Sequence, residues 1–415
     1  MNLIAGLDIG SAAIKIAVAN FARRGPDAGV LQLLGVVSSP SEGVGKGAIT
    51  SIEDVVSSVS ACLEKAEQVV SQPIENVWAG FSSAQLMTQN SHGYVIVSKA
   101  DNEITAQDVE RALDSSKSIS TPLNYEILHV SPRSFNVDGQ LGIKDPVGMT
   151  GIRLEVDSKI ILGQSSQIKN LTRAIYRAGL EIDDLVVSVV ADAGLLLSAK
   201  QKELGVVLIN LGSQTTSLAV YEEGDLLHLA VIPVGSAHIT NDLAVGLRSP
   251  LEVVERLKLE VGDCSTEAVN RRGEINLAEF GAPEREIFKL KDVATIVQAR
   301  VDEIMYLVDK ELKKVQRGGM LPAGAILTGG GAKLPGLVEA AKRNLRLPAS
   351  LGAPSGLVSA SDGINDPAFS TAIGLVKWGS EAVGGHGDEG DVWKKLKNSF
   401  RFKGRWQRTI NMLIP

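Results

Sequence analysis

Short apolar runs along this chain recur in two matching sets. Asp8-Ile9-Gly10-Ser11 returns as Asn210-Leu211-Gly212-Ser213, a shift of 202 positions, and at that shift Ile16-Ala17-Val18 falls on Leu218-Ala219-Val220. Each copy then enters a further apolar stretch, Leu31 to Val37 in one half and Leu226 to Ile232 in the other. Each set therefore reads as strand, tight glycine turn, strand, turn, strand. A third glycine turn, Leu327-Thr328-Gly329-Gly330-Gly331-Ala332, follows the apolar Ala325-Ile326-Leu327.

Other periodicities fill the space between and after the repeats. From about Ser83 to Gly163, strands are predicted at Tyr94–Val97 and Glu126–Val130, and alternation marks another at Ile152–Val156. Thr105 is the predicted N-cap of a helix, with Asp108 at capping-box spacing. Ile168 to Ala178 and Ile182 to Leu197 return to helix and buried-strand character. In the second half, Leu243, Leu247, Val253, Val254 and Leu257 predict one helix face, and Ile275 and Glu284 to Phe288 a strand-bearing excursion. Val293, Ile296, Val297, Val301, Ile304 and Val308 predict a long amphipathic helix packed in the core. The expected organisation is a first core lobe (1–82 and 164–202) with an α+β insert (83–163), and a second core lobe (203–241 and 316–382) with its own insert (242–315). A glycine-rich linker (383–391) and an amphipathic tail (392–415) complete it.

A hydrophobic content of 44% with 22% charge excludes a disordered chain, and 415 residues suffice for several cores. Cys62 and Cys264 stand alone, which suggests neither a disulfide framework nor a zinc site and fits a reducing cytoplasm. No basic leader precedes the first strand, and the apolar run Leu185–Leu197, interrupted by Asp192, is too short to span a bilayer. The net charge of −6 conceals an asymmetry: seven basic residues and no acid follow Asp391, so the rest carries −13. Such a body is not expected to bind nucleic acid.

The glycine turns carry the candidate chemistry. A hairpin turn of Gly and Ser offers backbone N–H groups to an anionic phosphate, and two such turns form a clamp. Gly10 and Ser11 belong to the first turn, and Gly212, Ser213, Gln214 and Thr215 to the second. Asp8 is placed to hold a hydrated Mg²⁺ on the phosphates, or simply to make an Asx-turn. Lys15 is either a point charge for a phosphate or an exposed strand lysine. Asn210, at the head of the second turn, can bind water but cannot act as an anion or base. Gly329, Gly330, Gly331 and Ala332 leave room for a flat ring or ribose. His92, His129, His228, His238 and His386 show no ligand spacing and read as structural or surface residues.

The tail carries a second signal. At helical spacing Val392, Trp393, Leu396 and Phe400 fall opposite Lys394, Lys397 and Arg401, and Trp406, Ile410, Leu413 and Ile414 form a second short apolar face. Each large apolar side chain contributes roughly 1.5–3 kcal/mol on burial and each basic residue about 1 kcal/mol near an anionic surface. A reversible membrane anchor is expected, with docking on the protein's own body or a partner as the alternative.

The ordered trio of turns in a duplicated frame resembles the actin, Hsp70 and sugar-kinase superfamily. That resemblance implies an α/β, two-lobed, duplicated nucleotide-binding fold, with ATP phosphates on the first two turns and adenosine on the third. Within it, Leu128-His129-Val130, Phe135-Asn136-Val137-Asp138-Gly139 and Gly142 through Leu154 resemble the FtsA family of bacterial cell division. Val231 to Gly235 with Thr240-Asn241-Asp242, Ser370 to Leu375, and the tail after a linker are also similar to that family. The resemblance implies ATP and Mg²⁺, phosphate contacts at Gly10, Ser11, Gly212, Ser213 and Thr215, and nucleoside contacts at Gly329 to Ala332. It further implies adenine or ribose contacts from Glu255 and Lys258, polymerisation on the cytoplasmic face of the membrane at the septum, tethering of the tubulin-like FtsZ, and recruitment of later divisome proteins. Two departures stand out: the family's second phosphate turn usually begins with Asp where this chain has Asn210, and the preceding connecting segment often carries Glu where it has Ser188. Loss of a water-positioning carboxylate impairs hydrolysis more than binding, so little or no turnover is expected. The alternatives are a PilM-like protein of pilus assembly, which would lack the insert signature and tail, and a small-molecule kinase, for which no catalytic base is evident.

Overall fold

The computed structural model describes residues 2–22, 29–98, 101–267, 269, 272–359 and 362–384. Trp393, Leu396, Phe400, Trp406, Ile410 and Leu413, with His386, lie outside them.

Both apolar sets fold as antiparallel three-stranded units. In the first, Asn2–Ile9, Ala13–Phe21 and Leu31–Pro40 pair in sequence, with Asp8 opposite Lys15. In the second, Val206–Leu211, Thr216–Glu222 and Asp225–Ile232 do the same, with Asn210 opposite Ser217. Duplication extends past the hairpins. Asn76–Phe81 adds in parallel to the first strand of one sheet, and Ala325–Thr328 to the first strand of the other. Beyond these lie Glu181–Val187 and Ala349–Leu351, again parallel. Parallel strands need crossovers and are covered on both faces, which is why Val206, Val207, Leu208 and Ile209 are all buried without alternation.

The crossover helix Ile52–Val70 begins where Ser51 accepts the Asp54 N–H and buries Val55, Val59, Cys62 and Ala66 at three- and four-residue steps. Cys62 and Cys264 are each buried and unpaired, in the separate cores of the two lobes. Between the sheets, helices Ser188–Leu196 and Ser370–Gly384 cross closely. A Cβ on Gly374 would stand 2.6 Å from the Ala191 carbonyl, so only glycine permits the crossing. No helix among the described residues is long and apolar enough to cross a membrane.

The first insert is a four-stranded sheet, in the order Met87–Ile96, Arg153–Gln164, Tyr125–Val137, Gln140–Ile143, with helix Ala106–Ser116 on one face. Thr105 and Asp108 form the anticipated capping box. Leu154 and Val156 are buried as alternation requires, but Ile152 precedes the strand and is exposed. Lys144 reaches across to the second lobe, donating to the Glu223 carbonyl at 2.9 Å and to Asp225 at 2.7 Å.

In the second insert the expected single helix face is two helices, Ala237–Leu247 and Leu251–Val261. Arg248 takes a left-handed conformation and Pro250 follows, which removes a backbone donor and turns the chain. A short hairpin, Glu274–Asn276 with Ile287–Lys289, precedes helix Leu290–Lys314. That helix buries Val293, Val297, Val301, Ile304 and Val308, while Ile296 is only partly covered.

His129 joins the insert to the first core. Its Nε2 accepts the Val187 N–H at 3.0 Å, one residue before the connecting helix, and its ring lies 5.6 Å from that of Trp378. Burial holds its pKa down at about 4. Because the folded value lies below the unfolded one, this contribution is intact above pH 6.5 and is lost as pH falls from there towards 4. Urea titrations of the parent and His129→Gln are expected to show the parent losing about 3 kcal/mol more over that range, a shift of about 2.5 units at 1.36 kcal/mol each.

Candidate functional site

The two hairpin turns close by the same bond. Gly10 N–H donates to the Ala13 carbonyl at 3.2 Å, and Gly212 N–H to the Thr215 carbonyl at 2.9 Å. The glycine donors are therefore used internally, and the turn N–H groups that find no acceptor among the described residues include those of Ser11, Ala12, Ser213 and Gln214. Ala12, which carries no polar side chain, escaped notice in the sequence. The second turn is fixed from behind, where the carbonyls of Gly212 and Ser213 accept from Ser236 and Ala237 at the start of the following helix. Gln214 Oε1 accepts the Lys46 N–H at 2.8 Å, linking this turn to the small hairpin Val44–Ile49 of the first lobe.

Asp8 and Lys15 pair at 3.3 Å with most of each side chain hidden, so Lys15 is not an exposed strand lysine. The third turn differs from the expected open glycine platform. Gly329, at φ +89°, is pressed against the end of strand Val206–Leu211, where a Cβ would lie 2.3 Å from Asn210 Oδ1. Gly331 packs on Leu211 and Ala332 is buried, so only Gly330 presents bare backbone to open space. Lys333, one residue on from Ala332, pairs with Asp366 at 2.9 Å.

Glu255 and Lys258 occupy one helix face and bind each other at 2.7 Å. Lys258 is 5% exposed and also donates to Thr240 Oγ1 and the Ser236 carbonyl, while Glu255 stays half-exposed. Lys258 thus braces the helix start behind the second turn, and Glu255 is the more accessible of the two. Among the histidines, His92 contacts Asp157, His228 contacts Glu311, and His238 Nδ1 accepts the Gly235 N–H, all consistent with structural roles.

The residue that sequence reasoning missed is Asp192. Asn210 Nδ2 donates to Asp192 Oδ2 at 2.6 Å and to Thr371 Oγ1 at 3.2 Å. Three segments distant in sequence meet there: the connecting helix, the second glycine turn and the last helix. Asp192 is fully buried, and its Oδ1 has no partner among the described residues. Burial pushes its carboxyl up to about 7, the Asp8 charge pushes the same way, and Asn210, Thr371 and Lys15 oppose them. The one available signal was an acid inside the apolar run Leu185–Leu197, four residues beyond Ser188 on the same helix face.

Free turn N–H groups, a hidden Asp–Lys pair and a buried carboxylate with an unsatisfied oxygen suit a polyphosphate with a hydrated cation. Among the described residues there is no group of three or more acidic, His or Cys side chains able to hold a metal by itself. A cation here would rest on one or two carboxylates plus ligand oxygens.

Comparison with known proteins gives the same frame. A family model described as "Cell division protein FtsA" matches residues 207–374, and one described as "SHS2 domain inserted in FTSA" matches residues 83–162. The cell division protein FtsA of Pseudomonas aeruginosa is 33% identical over 91% of this chain and 89% of its own length. That of Escherichia coli K12 is 31% identical over 99% of this chain and 97% of its own. Among solved structures, a PilM-PilN type IV pilus biogenesis complex aligns with TM-score 0.65 at 16% identity, covering 91% of this chain and 98% of the other. MreB5 of Spiroplasma citri bound to ADP aligns with TM-score 0.54 at 12% identity, covering 92% and 98%. These likenesses establish the actin-like fold.

A raised carboxyl binds its proton more tightly in the folded than in the unfolded state, so its stabilising contribution holds below about pH 3.8 and disappears as pH rises to 7. Without ligand, Asp192→Asn is expected to raise the melting temperature at pH 8 and to leave it unchanged near pH 4, as read by thermal unfolding.

Proposed function

The chain belongs to the FtsA family of cell division proteins, and on that premise we propose that it is an ATP-binding, actin-like division protein. In this reading it polymerises on the cytoplasmic face of the membrane, tethers the tubulin-like FtsZ ring at the septum, and recruits later divisome proteins. The observation that carries the reading is likeness over nearly the whole length to curated FtsA proteins, joined to a match of the first insert to the SHS2 domain of that family. Pilus-assembly proteins share the fold, but at 16% identity that likeness speaks to fold alone.

The N–H groups of Ser11, Ala12, Ser213 and Gln214 are assigned to the phosphates. Asp8, with Lys15 beside it, is placed to orient a hydrated Mg²⁺, and Gly330 lies open to the nucleoside. Bound ATP with Mg²⁺ would supply a charged, ordered bridge between the two lobes. Asn210 is an amide and Ser188 a hydroxyl, so neither position where the family usually carries an acid holds a base. Retention of ATP with little turnover follows. The tail supplies membrane attachment through its paired apolar and basic faces.

The deciding experiment incubates the full chain with ATP on liposomes containing anionic phospholipid, then extracts and chromatographs the bound nucleotide while following phosphate release. Intact ATP is expected, and steady ADP formation would refute the low-turnover assignment. In the same pelleting assay, a chain ending at Asp391 and the Trp393→Glu/Phe400→Glu variant are expected to stay in the supernatant. Undiminished pelleting of either would sink the anchor.

A further inference from the structure

The family's second phosphate turn usually opens with an acid, and here position 210 is Asn; yet the negative charge is not lost from the cleft. It stands on Asp192, in direct contact with the amide that replaced it. Resting on the nucleotide site proposed above, we infer that Asp192 is the relocated cation-positioning carboxylate of the cleft, its free Oδ1 receiving a water of the divalent cation that accompanies the nucleotide.

The geometry argues this against a merely structural acid. A structural carboxylate this deep ordinarily has both oxygens satisfied, because an unpaired buried acceptor costs about 1–3 kcal/mol or more. Here Oδ2 is held by Asn210 and the Thr371 hydroxyl favours the charged carboxylate, while Oδ1 has no hydrogen-bond partner among the described residues. Among the described residues no arginine, lysine or histidine pairs with it. The cation whose charge acts on it is Lys15, itself engaged by Asp8. Asp8 and Asp192 lie close enough to repel each other, so a divalent cation between their hydration shells would relieve both. The connecting helix makes the exchange possible. Asp192 lies one turn beyond Ser188 on the same face, and from there it reaches the carboxyl end of Val206–Leu211 through Asn210. Asn210 becomes the spacer: its amide binds Asp192 and Thr371, and its Oδ1 lies against Gly329.

The test measures binding of a fluorescent ATP analogue while Mg²⁺ is titrated from an EDTA baseline, for the parent, Asp192→Asn, and the exchanged pair Asp192→Asn/Asn210→Asp. Loss of a water-mediated metal contact typically weakens metal affinity 10–100-fold. Asp192→Asn is therefore expected to need about 10–100-fold more Mg²⁺ for half-maximal enhancement, with binding in EDTA unchanged or tighter. The exchanged pair is expected to recover the parent's Mg²⁺ midpoint. An unchanged midpoint in Asp192→Asn overturns the inference, as does failure of the exchanged pair to recover while still folded by thermal melt. Should the parent bind no nucleotide with or without Mg²⁺, the nucleotide site falls and this inference with it, an outcome distinct from normal binding with an unaltered Mg²⁺ midpoint.

Discussion

Two helices crossing where neither leaves room for a side chain set the geometry of the whole molecule. Ser188–Leu196 and Ser370–Gly384 approach so closely that the Ala191 carbonyl occupies the place of a Cβ on Gly374. Asp192 on one helix and Thr371 on the other lie near that crossing, and both are buried. The amide of Asn210, at the end of the second lobe's first strand, binds both. The contact that fastens the helices thus also anchors the second glycine turn, and any change in how the lobes meet is felt there.

The same closeness explains an energetic oddity. A carboxylate that pairs with no cation among the described residues, buried and facing a second acid, is an expensive feature. Burial has pushed it towards neutrality at about pH 7, so its protonation is poised near the working range. Groups held at such cost tend to sit at functional sites, where the ligand rather than the fold satisfies them. The turns show a milder form of this, each closed by a glycine N–H while the next two N–H groups are left without an acceptor among the described residues. The first insert is fastened to this core at two separated points, by His129 under the connecting helix and by Lys144 on the second hairpin. Two residues within the signature stretches thereby acquire mechanical roles, since the insert cannot tilt without breaking a buried hydrogen bond or a charged one.

What the sequence alone determined was whatever depends on local spacing. Duplicated hairpins follow from period-two and continuous apolar runs around glycine, the capping box at Thr105 and Asp108 from a three-residue offset, and helix Leu290–Lys314 from its stripe. Even the break at Pro250 was locally written, although the apolar spacing across it imitated one helix. Tertiary structure decided what depends on which atoms are already taken. The Gly10 and Gly212 donors are spent on their own turns, Gly329 and Gly331 lie against another strand, and Lys258 is claimed by Glu255, Thr240 and Ser236. Asp192 drew attention in the sequence only as an interruption of an apolar run. Its meaning needed the approach of Asn210 and Thr371, which stand 18 and 179 positions away, because a carboxylate's role is set by the partners that folding brings to it and by the one oxygen they leave unmet.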